Sequence, residues 1–304
     1  MTNAQKRKRR SSAPAFLLLA MLALPAAGLA ADGDWSMKAD VQGMHGVYSG
    51  SVKRSSLSGA GLFLRADHLD QSGLTLGVNA LQLKFRQAPT IRQQEYFASL
   101  RHNLYFDALP GIIGLRVDGH WINNNDVTGD TDNVRVVEPR LSFLNYAKTL
   151  YLDVGFAYSR YRNNLNVQQL TPTLGFGFNR GADWLQARGY FIRTSNPARA
   201  QNKRRTSAVD LKWTHWFAPG AWHRLDNIQL GVLAGERIYA VDGDAGATYN
   251  LADIQRGSLS VAFQWRLSDA WKLMLMGGDE RYLDNAIGNS YDNRFGYADI
   301  SVNW

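Results

Sequence analysis

The feature that most restricts the fold is a two-residue alternation of apolar and polar side chains, which recurs from Trp35 onward. In the last such segment Ile300 and Val302 occupy one face, and Ser301 and Asn303 occupy the other. Successive side chains of a β-strand point to opposite sides, whereas a helix repeats every three to four residues. Beyond the N-terminal region no apolar run reaches the roughly 18 residues of a helical membrane span. The pattern therefore predicts an all-β chain, which would have to cross any membrane with strands.

Fourteen alternating segments can be counted, and clusters of Gly, Asn, Asp and Pro separate them. They cover 35–48, 57–67, 74–86, 94–106, 112–123, 134–147, 149–161, 166–180, 183–194, 204–217, 227–240, 256–267, 270–283 and 291–304. Tight turns such as Gly181-Ala182 alternate with longer polar stretches such as 241–255. Short periplasmic turns and longer external loops are typical of outer-membrane barrels, which have an even strand number. The sequence predicts a transmembrane antiparallel up-and-down β-barrel of about fourteen strands, with twelve or sixteen as alternatives and no plug domain.

Two local features disturb this pattern. Pro139 and Pro172 lie inside predicted strands, where each removes a backbone donor, so bulges or strand ends are expected there. The alternation also slips near Ala80-Leu81, which predicts a third bulge. A soluble β-sandwich would alternate as well. It is disfavoured because the polar face carries Gly, Ser, Thr, Asn and Tyr with scattered charges, as expected for a barrel lumen.

The N-terminal region predicts export. Five basic residues at positions 6–10 precede an apolar stretch from Ala15 to Ala30, which is interrupted by Pro25 and ends in small residues. This is the layout of a cleaved secretory signal, and the stretch is too short for an ordinary membrane anchor. We expect residues 1–30 to be removed and residues 31–304 to form a single barrel. Much of the net charge of +8 leaves with the signal, so a nucleic-acid partner is not expected.

The final segment, from Tyr297 to Trp304, resembles the C-terminal assembly signal of bacterial outer-membrane barrels. The resemblance rests on Tyr297, Ile300, Val302 and Trp304. It implies insertion into the bacterial outer membrane, with the barrel assembly machinery, membrane lipid and lipopolysaccharide as partners. In size the chain is similar to fourteen-stranded monomeric channels and to the barrel portions of systems that export lipoproteins or polysaccharides. It lacks the N-terminal plug of fatty-acid transporters.

If the apolar face points to lipid, charged residues of both signs line the lumen. The basic ones are Lys38, Arg65, Lys84, Arg86, Arg101, Arg116, Arg140, Arg188, Lys212, Arg237, Arg266 and Lys272. The acidic ones are Asp40, Asp67, Glu95, Asp118, Glu138, Asp153, Asp210 and Asp299. An excess of one sign biases which ions enter a water-filled pore. The alternative is that these charges pair across strands and only keep the interior wet.

Two functions fit this lumen. The first is a porin-like channel for passive passage of small hydrophilic solutes, among them anions or saccharides, for which lumenal Tyr and Trp offer ring faces. The alternative is an accessory barrel for the export or surface assembly of a polysaccharide or protein. Separately, Lys203-Arg204-Arg205 falls in a predicted outer loop near Arg193 and Arg199, where lipopolysaccharide phosphates would bind unless the cluster is only a solvated loop.

Catalysis is not expected, and neither is a cofactor or a metal. The six histidines are scattered over different strands and turns, and no G-x-S-x-G motif occurs. No histidine pair falls at the short interval of a metal motif, and the chain contains no cysteine.

Overall fold

The computed structural model of the chain describes residues 34–218, 220 and 224–304. Its strands are β1 (Trp35–Ser49), β2 (Arg54–His68), β3 (Ser72–Phe85), β4 (Ile91–Tyr105), β5 (Gly111–Asn124), β6 (Val134–Asn145), β7 (Leu150–Arg160), β8 (Asn166–Phe178), β9 (Asp183–Thr194), β10 (Arg205–Trp216), β11 (Leu225–Arg237), β12 (Val241–Asp242), β13 (Ala247–Thr248), β14 (Ile254–Arg266), β15 (Trp271–Asp284) and β16 (Asn289–Asn303). The predicted signal segment 1–30 lies outside the described residues. Over the part described, no helix combines the length and the apolar character that crossing a membrane requires.

All strands except β12 and β13 form one closed antiparallel barrel, in which each pairs with its neighbours in the chain and β1 pairs with β16. The prediction of a fourteen-stranded up-and-down barrel is confirmed. Closure gives every strand two partners, so no edge is left with unpaired amides. Within the described ranges every strand belongs either to the barrel or to the small β12-β13 ribbon, and there is no plug domain.

Both termini of the described barrel lie at one end, which we call the terminal end; we call the opposite end the loop end. The terminal end carries the connections 69–71, 106–110, 146–149, 179–182, 217–224 and 267–270. The loop end carries 50–53, 86–90, 125–133, 161–165, 195–204, 238–253 and 285–288. Several connections at the loop end are as short as those at the terminal end. The predicted difference in length between the two ends therefore rests mainly on 125–133, 195–204 and 238–253.

The outer wall is apolar, as the alternation predicts. Leu76 and Leu100 on neighbouring strands are 51% and 63% exposed, and many Val, Leu and Phe side chains share that face. Exposed apolar side chains in such numbers are unfavourable in water but match a hydrocarbon environment. The inward face is instead polar toward the terminal end and densely packed toward the loop end.

The expected bulges are not where the sequence placed them. Pro139 and Pro172 lie within strands, and the β6-β7 and β8-β9 pairings lapse beside them but resume in the same register. Each proline costs ladder bonds on one side only, so neither a bulge nor a strand end forms. The β2-β3 and β3-β4 registers run unbroken through Ala80-Leu81. Register shifts occur instead between Arg54 and Ser56, and in the pairings of β14 with β11 and β15.

Candidate functional site: a lumen closed by an inner loop

The strand registers show which predicted lumen residues face inward, because cross-strand partners share a face of the sheet. All but two of the residues in the predicted lumen set do so. The inward residues are Lys38, Arg65, Arg101, Arg116, Arg140, Arg188, Lys212, Arg237, Arg266, Lys272, Asp40, Asp67, Glu95, Asp118, Glu138, Asp153, Asp210 and Asp299. That a solute passes along them stays a prediction.

Lys84 and Arg86 lie elsewhere, which corrects the predicted set. Lys84 is exposed on the outer wall, next in sequence to the inward, buried Leu83. Arg86 follows the end of β3, and its Nε atom donates to the carbonyl oxygen of Ser51, 2.9 Å away. The error has a physical cause. Inward-facing Leu81 and Leu83 pack inside the barrel at the loop end, and in the sequence they resemble a lipid-facing row.

The residues that close the lumen belong to the connection 238–253, which we call the inner loop. It begins and ends at the loop end but folds into the barrel, where β12 and β13 form a two-stranded ribbon. Gln169 of β8 anchors it from the wall. The side-chain oxygen of Gln169 accepts from the Val241 amide at 3.0 Å, and its side-chain nitrogen donates to the Val241 carbonyl at 2.6 Å. The sequence had predicted this stretch to be an external polar loop.

A second anchor is a carboxylate of the inner loop held between two arginines of the wall. The Asp244 oxygens lie 2.9 Å from an Nη atom of Arg140 and 2.5 Å from one of Arg188. Asp242 lies 3.4 Å from the second Nη atom of Arg188. An Nη atom of Arg116 donates to the Gly243 carbonyl at 2.7 Å. Three arginines from three strands therefore converge on one turn of the inner loop.

The same arginines are paired with acids of the wall. Arg116 bonds Asp118 at 2.8 Å, and Arg140 bonds both Glu138 and Asp153 at 3.0 Å. In the β5-β6 register Arg116 lies directly opposite Arg140, and Asp118 opposite Glu138. Like charges in direct opposition are destabilising. Arg116 and Arg140 instead each pair with the acid two residues away on the same strand, Arg140 also pairs diagonally with Asp153, and both arginines contact the inner loop. We call Arg116, Arg140 and Arg188 the arginine site.

Two of the three arginines of the arginine site are almost completely buried where they meet the inner loop. Arg140 and Arg188 expose about a twentieth of their side chains, at 4% and 5%. A Cβ atom on Gly243 would lie 2.3 Å from an Nη atom of Arg140, so a larger residue at position 243 would force Arg140 to shift within its ion pairs. Burial would raise the pKa of Asp244, but Arg188 and Arg140 outweigh it and hold that pKa well below its ordinary value.

Toward the loop end the inner loop builds a dry core inside the barrel. Ile238, Ala240 and Val241 are at most 2% exposed and pack with inward side chains of the wall, including Ile122 and Val167. A second apolar cluster of the loop end contains Tyr48, Leu57, Leu83, Tyr282 and Tyr291. This half of the lumen is therefore packed like a protein interior, in contrast to the wet interior that the sequence predicted.

The terminal end of the lumen remains polar and more open. Lys38 lies 2.5 Å from Asp40, and Asp67 lies 2.5 Å from Arg65 and 2.9 Å from Arg101. Side chains of Lys38 and Arg65 are 40% and 43% exposed. Exposed ion pairs of this kind stabilise a fold little. They leave charges of both signs available to water and to ions.

In the basic cluster that was predicted for the loop near Arg204, some residues have ion-pair partners and others do not. Lys203 pairs with Glu236 at 2.7 Å, and Arg199 pairs with Asp130 at 3.1 Å. Arg204 and Arg205 are exposed and have no ion-pair partner among the described residues. Only part of the predicted cluster is thus available to an external anion.

The C-terminal strand closes the barrel. Ile300 and Val302 face outward, Tyr297 faces inward, and Trp304 exchanges backbone hydrogen bonds with Met37 at 2.9 and 3.0 Å. The last residue is thereby paired to the first strand. That the assembly machinery recognises this strand stays a prediction.

The histidines form no catalytic arrangement in the described chain. His120 bonds Glu95 at 2.8 Å inside the lumen, while His102 bonds the Ser72 hydroxyl at 2.9 Å on the outer wall. No described histidine contacts both a hydroxyl and a carboxylate, as an activated nucleophile would require. The described residues also contain no group of three or more acidic, His or Cys side chains placed to hold a metal ion.

The sequence analysis missed three inner-loop residues of this site, Asp242, Gly243 and Asp244. It also missed Gln169, which lies in the wall. The only signal was the composition of residues 242–246, where two aspartates alternate with glycine and alanine. Such a stretch predicts a turn. It does not indicate which way the turn points.

Comparisons with known proteins agree with the fold. No protein-family model and no curated protein matches the chain. The solved CymD monoaromatic hydrocarbon channel matches with a TM-score of 0.56 and 10% identity, over 88% of each chain. A bacterial polysaccharide outer membrane secretin matches with a TM-score of 0.53 and 10% identity, over 88% of this chain and 98% of that chain. Omp33 of Acinetobacter baumannii matches with a TM-score of 0.46 and 8% identity, over 87% and 97%, too weakly to carry an argument.

These likenesses, at such low identity, concern the fold. The chain has the closed antiparallel β-barrel fold of bacterial outer-membrane channels. In barrels of this class both termini face the periplasm. In such barrels the end that corresponds to the terminal end is the periplasmic one, and the end that corresponds to the loop end is the extracellular one. Neither structure with a TM-score above 0.5 is named as an enzyme.

Proposed function

We propose that the chain is a passive outer-membrane channel for small hydrophilic anions, closed in this state by a carboxylate of its own inner loop. The observation that carries the proposal is the Asp244 carboxylate bridging Arg140 and Arg188, at 2.9 and 2.5 Å. Paired guanidinium groups bind carboxylates and phosphates through charge-assisted hydrogen bonds. A solute carboxylate has the chemistry to take the place of Asp244 when the inner loop moves out.

The charges along the periplasmic half support the same direction of selectivity. Lys38, Arg65 and Arg101 are partly exposed there and outnumber Asp40 and Asp67, the two acids with which they pair, so this approach to the arginine site carries an excess of positive charge. Charges of one sign in a low-dielectric cleft raise the local concentration of the opposite ion. Inward Trp184 and Tyr151 offer ring faces on which a sugar can stack, so acidic saccharides are included in the proposed solute class.

The first prediction concerns Asp244. Asp244→Asn keeps the shape of the side chain but removes the charge that pairs with two buried arginines. A charged hydrogen bond contributes roughly 1.5 to 3 kcal/mol, and about 1.4 kcal/mol corresponds to a tenfold change in population. We expect the open probability in planar bilayers to rise about tenfold or more, and the reversal potential in a salt gradient to show anion selectivity.

The matched control is Asp40→Asn, which removes an acid of the lumen that pairs with Lys38 and does not touch the inner loop. It should leave the open probability within about twofold. The proposal fails if Asp244→Asn conducts no better than the wild type, or if the open channel selects cations. Liposome swelling with a sugar acid and with the neutral sugar of the same size extends the test to solutes.

A second candidate function is an accessory role in polymer or protein export. The packed core at the extracellular end favours it, because a barrel filled at one end conducts poorly alone. The likeness in fold to a polysaccharide secretin agrees with this candidate but concerns the fold only. If Asp244→Asn and removal of residues 242–247 both leave the barrel non-conducting, export becomes the better explanation.

A further inference from the structure

We propose that the outer wall of β6 to β10 binds the phosphate groups of lipopolysaccharide through two arginine pairs at the extracellular end. The pairs are Arg135 with Arg160 and Arg193 with Arg205, which we call the outer arginine pairs. This site lies on the lipid-facing side of the barrel. It is independent of the arginine site in the lumen and of the channel proposal.

The pairing registers place like charges directly beside each other. Arg135 of β6 is opposite Arg160 of β7, and Arg193 of β9 is opposite Arg205 of β10. All four side chains are exposed, and none makes an ion pair or a side-chain hydrogen bond among the described residues. Two arginines in direct cross-strand opposition destabilise a sheet unless an anion lies between them. The geometry therefore leaves two open positions for an anion supplied from outside.

The height of the outer arginine pairs is that of lipid headgroups. The next outward residues toward the membrane centre are Val137 and Tyr158 below the first pair, and Phe191 below one arginine of the second. The charged rows thus lie directly above the apolar band that contacts acyl chains. From β6 to β10 there are four strand spacings, about 19 Å in total. This width suits a headgroup that carries more than one phosphate.

The wall formed by β15 and β16 does not have unpaired arginine pairs of this kind. There Arg281 of β15 pairs with Asp292 of β16 at 3.6 Å, and Arg294 pairs with Asp279 at 3.3 Å. These arginines also point outward at the extracellular end and are highly exposed, but their charges are balanced within the barrel. The β6 to β10 wall presents four outward arginines that lie in directly opposed pairs and have no ion-pair partner among the described residues, whereas outward Lys84 and Arg92, which also have none, lie opposite the uncharged Ser56 and Gln82. Because guanidinium groups bind phosphate oxygens in pairs, the fitting partner is a multiply phosphorylated glycolipid.

The test uses the full barrel in detergent, titrated with diphosphorylated lipid A and with the same lipid after chemical dephosphorylation. Two variants, R135Q/R160Q and R193Q/R205Q, each remove one pair, and R281Q/R294Q removes two outward arginines that already have partners. We expect each outer-pair variant to weaken binding of diphosphorylated lipid A about tenfold, while R281Q/R294Q stays within about twofold. Dephosphorylated lipid A should bind weakly and equally to all four proteins.

Three outcomes would overturn the proposal. One is equal affinity of the wild type for phosphorylated and dephosphorylated lipid. Another is a loss in R281Q/R294Q as large as in the outer-pair variants, which would indicate a general charge effect. The third is full competition by phosphatidylglycerol, which would show that any anionic lipid suffices. Heat-modifiable migration on gels checks that every variant is folded, so a loss of binding is not mistaken for a loss of structure.

Discussion

At the scale of the residue, the closed state depends on a few close contacts around the turn at 242–244. Gly243 permits the approach because any Cβ atom there would collide with Arg140. Asp244 pairs with two buried guanidinium groups, and Arg188 has no acidic partner outside the inner loop among the described residues, so undocking would leave a buried charge unpaired, which is strongly destabilising. The inner loop and the arginine site are therefore mutually dependent. Moving the turn away exposes Arg140 and Arg188 to water or to another anion.

A pH dependence follows from the lowered pKa of Asp244. The docked turn favours the carboxylate, so its contribution to closure is complete above the ordinary value of 3.8 and is lost as the pH falls through the lowered value. We expect bilayer conductance to stay low from neutral pH to about pH 4 and to rise below it.

The control for this pH step is Asp244→Asn, whose open probability should not change with pH in that range. Glu138, Asp153 and Asp242 are the other acids that face the same arginines. If the step is the same size in Asp244→Asn as in the wild type, these other acids cause it, and the assignment to Asp244 is wrong.

At the scale of the element, the strands could be predicted from sequence and the inner loop could not. Each barrel strand was predicted to within about three residues, because alternation is a local property set by one lipid-facing and one inward face. The direction of the inner loop depends on Gln169, Arg140 and Arg188, which are distant in sequence. The misplacement of Lys84 has the same origin. Leu83 is apolar because the inside of the barrel is packed at that height, and no local pattern reveals this.

Docking of the inner loop as a unit can be tested at its anchor on β8. Gln169→Ala leaves the amide and carbonyl of Val241 without partners in a dry environment, which costs about 1 to 3 kcal/mol. We expect the inner loop to undock more often and the open probability to rise about tenfold. Thr171→Ala, two residues along the same strand, removes a hydroxyl that bonds Gly155 of the wall and should not change conductance. An equal effect of the two variants would contradict this role of Gln169.

At the scale of the whole molecule, closure of the cylinder and closure of the lumen are separate events. The cylinder is sealed by pairing of β1 with β16, which satisfies backbone groups that lipid cannot. The lumen is sealed by the inner loop, whose contacts are side-chain bonds and apolar packing. Variants at Asp244 or Gln169 should therefore open the lumen without unfolding the barrel, whereas a defect in the last strand should impair assembly.

The last prediction concerns Trp304, whose backbone pairs with Met37 and whose side chain is 42% exposed on the outer wall. Trp304→Ala keeps the backbone pairing, so refolding into detergent should be nearly unchanged. If the terminal aromatic residue is recognised during assembly in the cell, the fraction of heat-modifiable barrel in the outer membrane should fall several-fold. Trp271→Ala is the matched control, because Trp271 lies opposite Val302 on the same wall and at the same end. Equal losses in both variants, in cells and in detergent, would mean that Trp304 acts only as an interfacial side chain, without a role as an assembly signal.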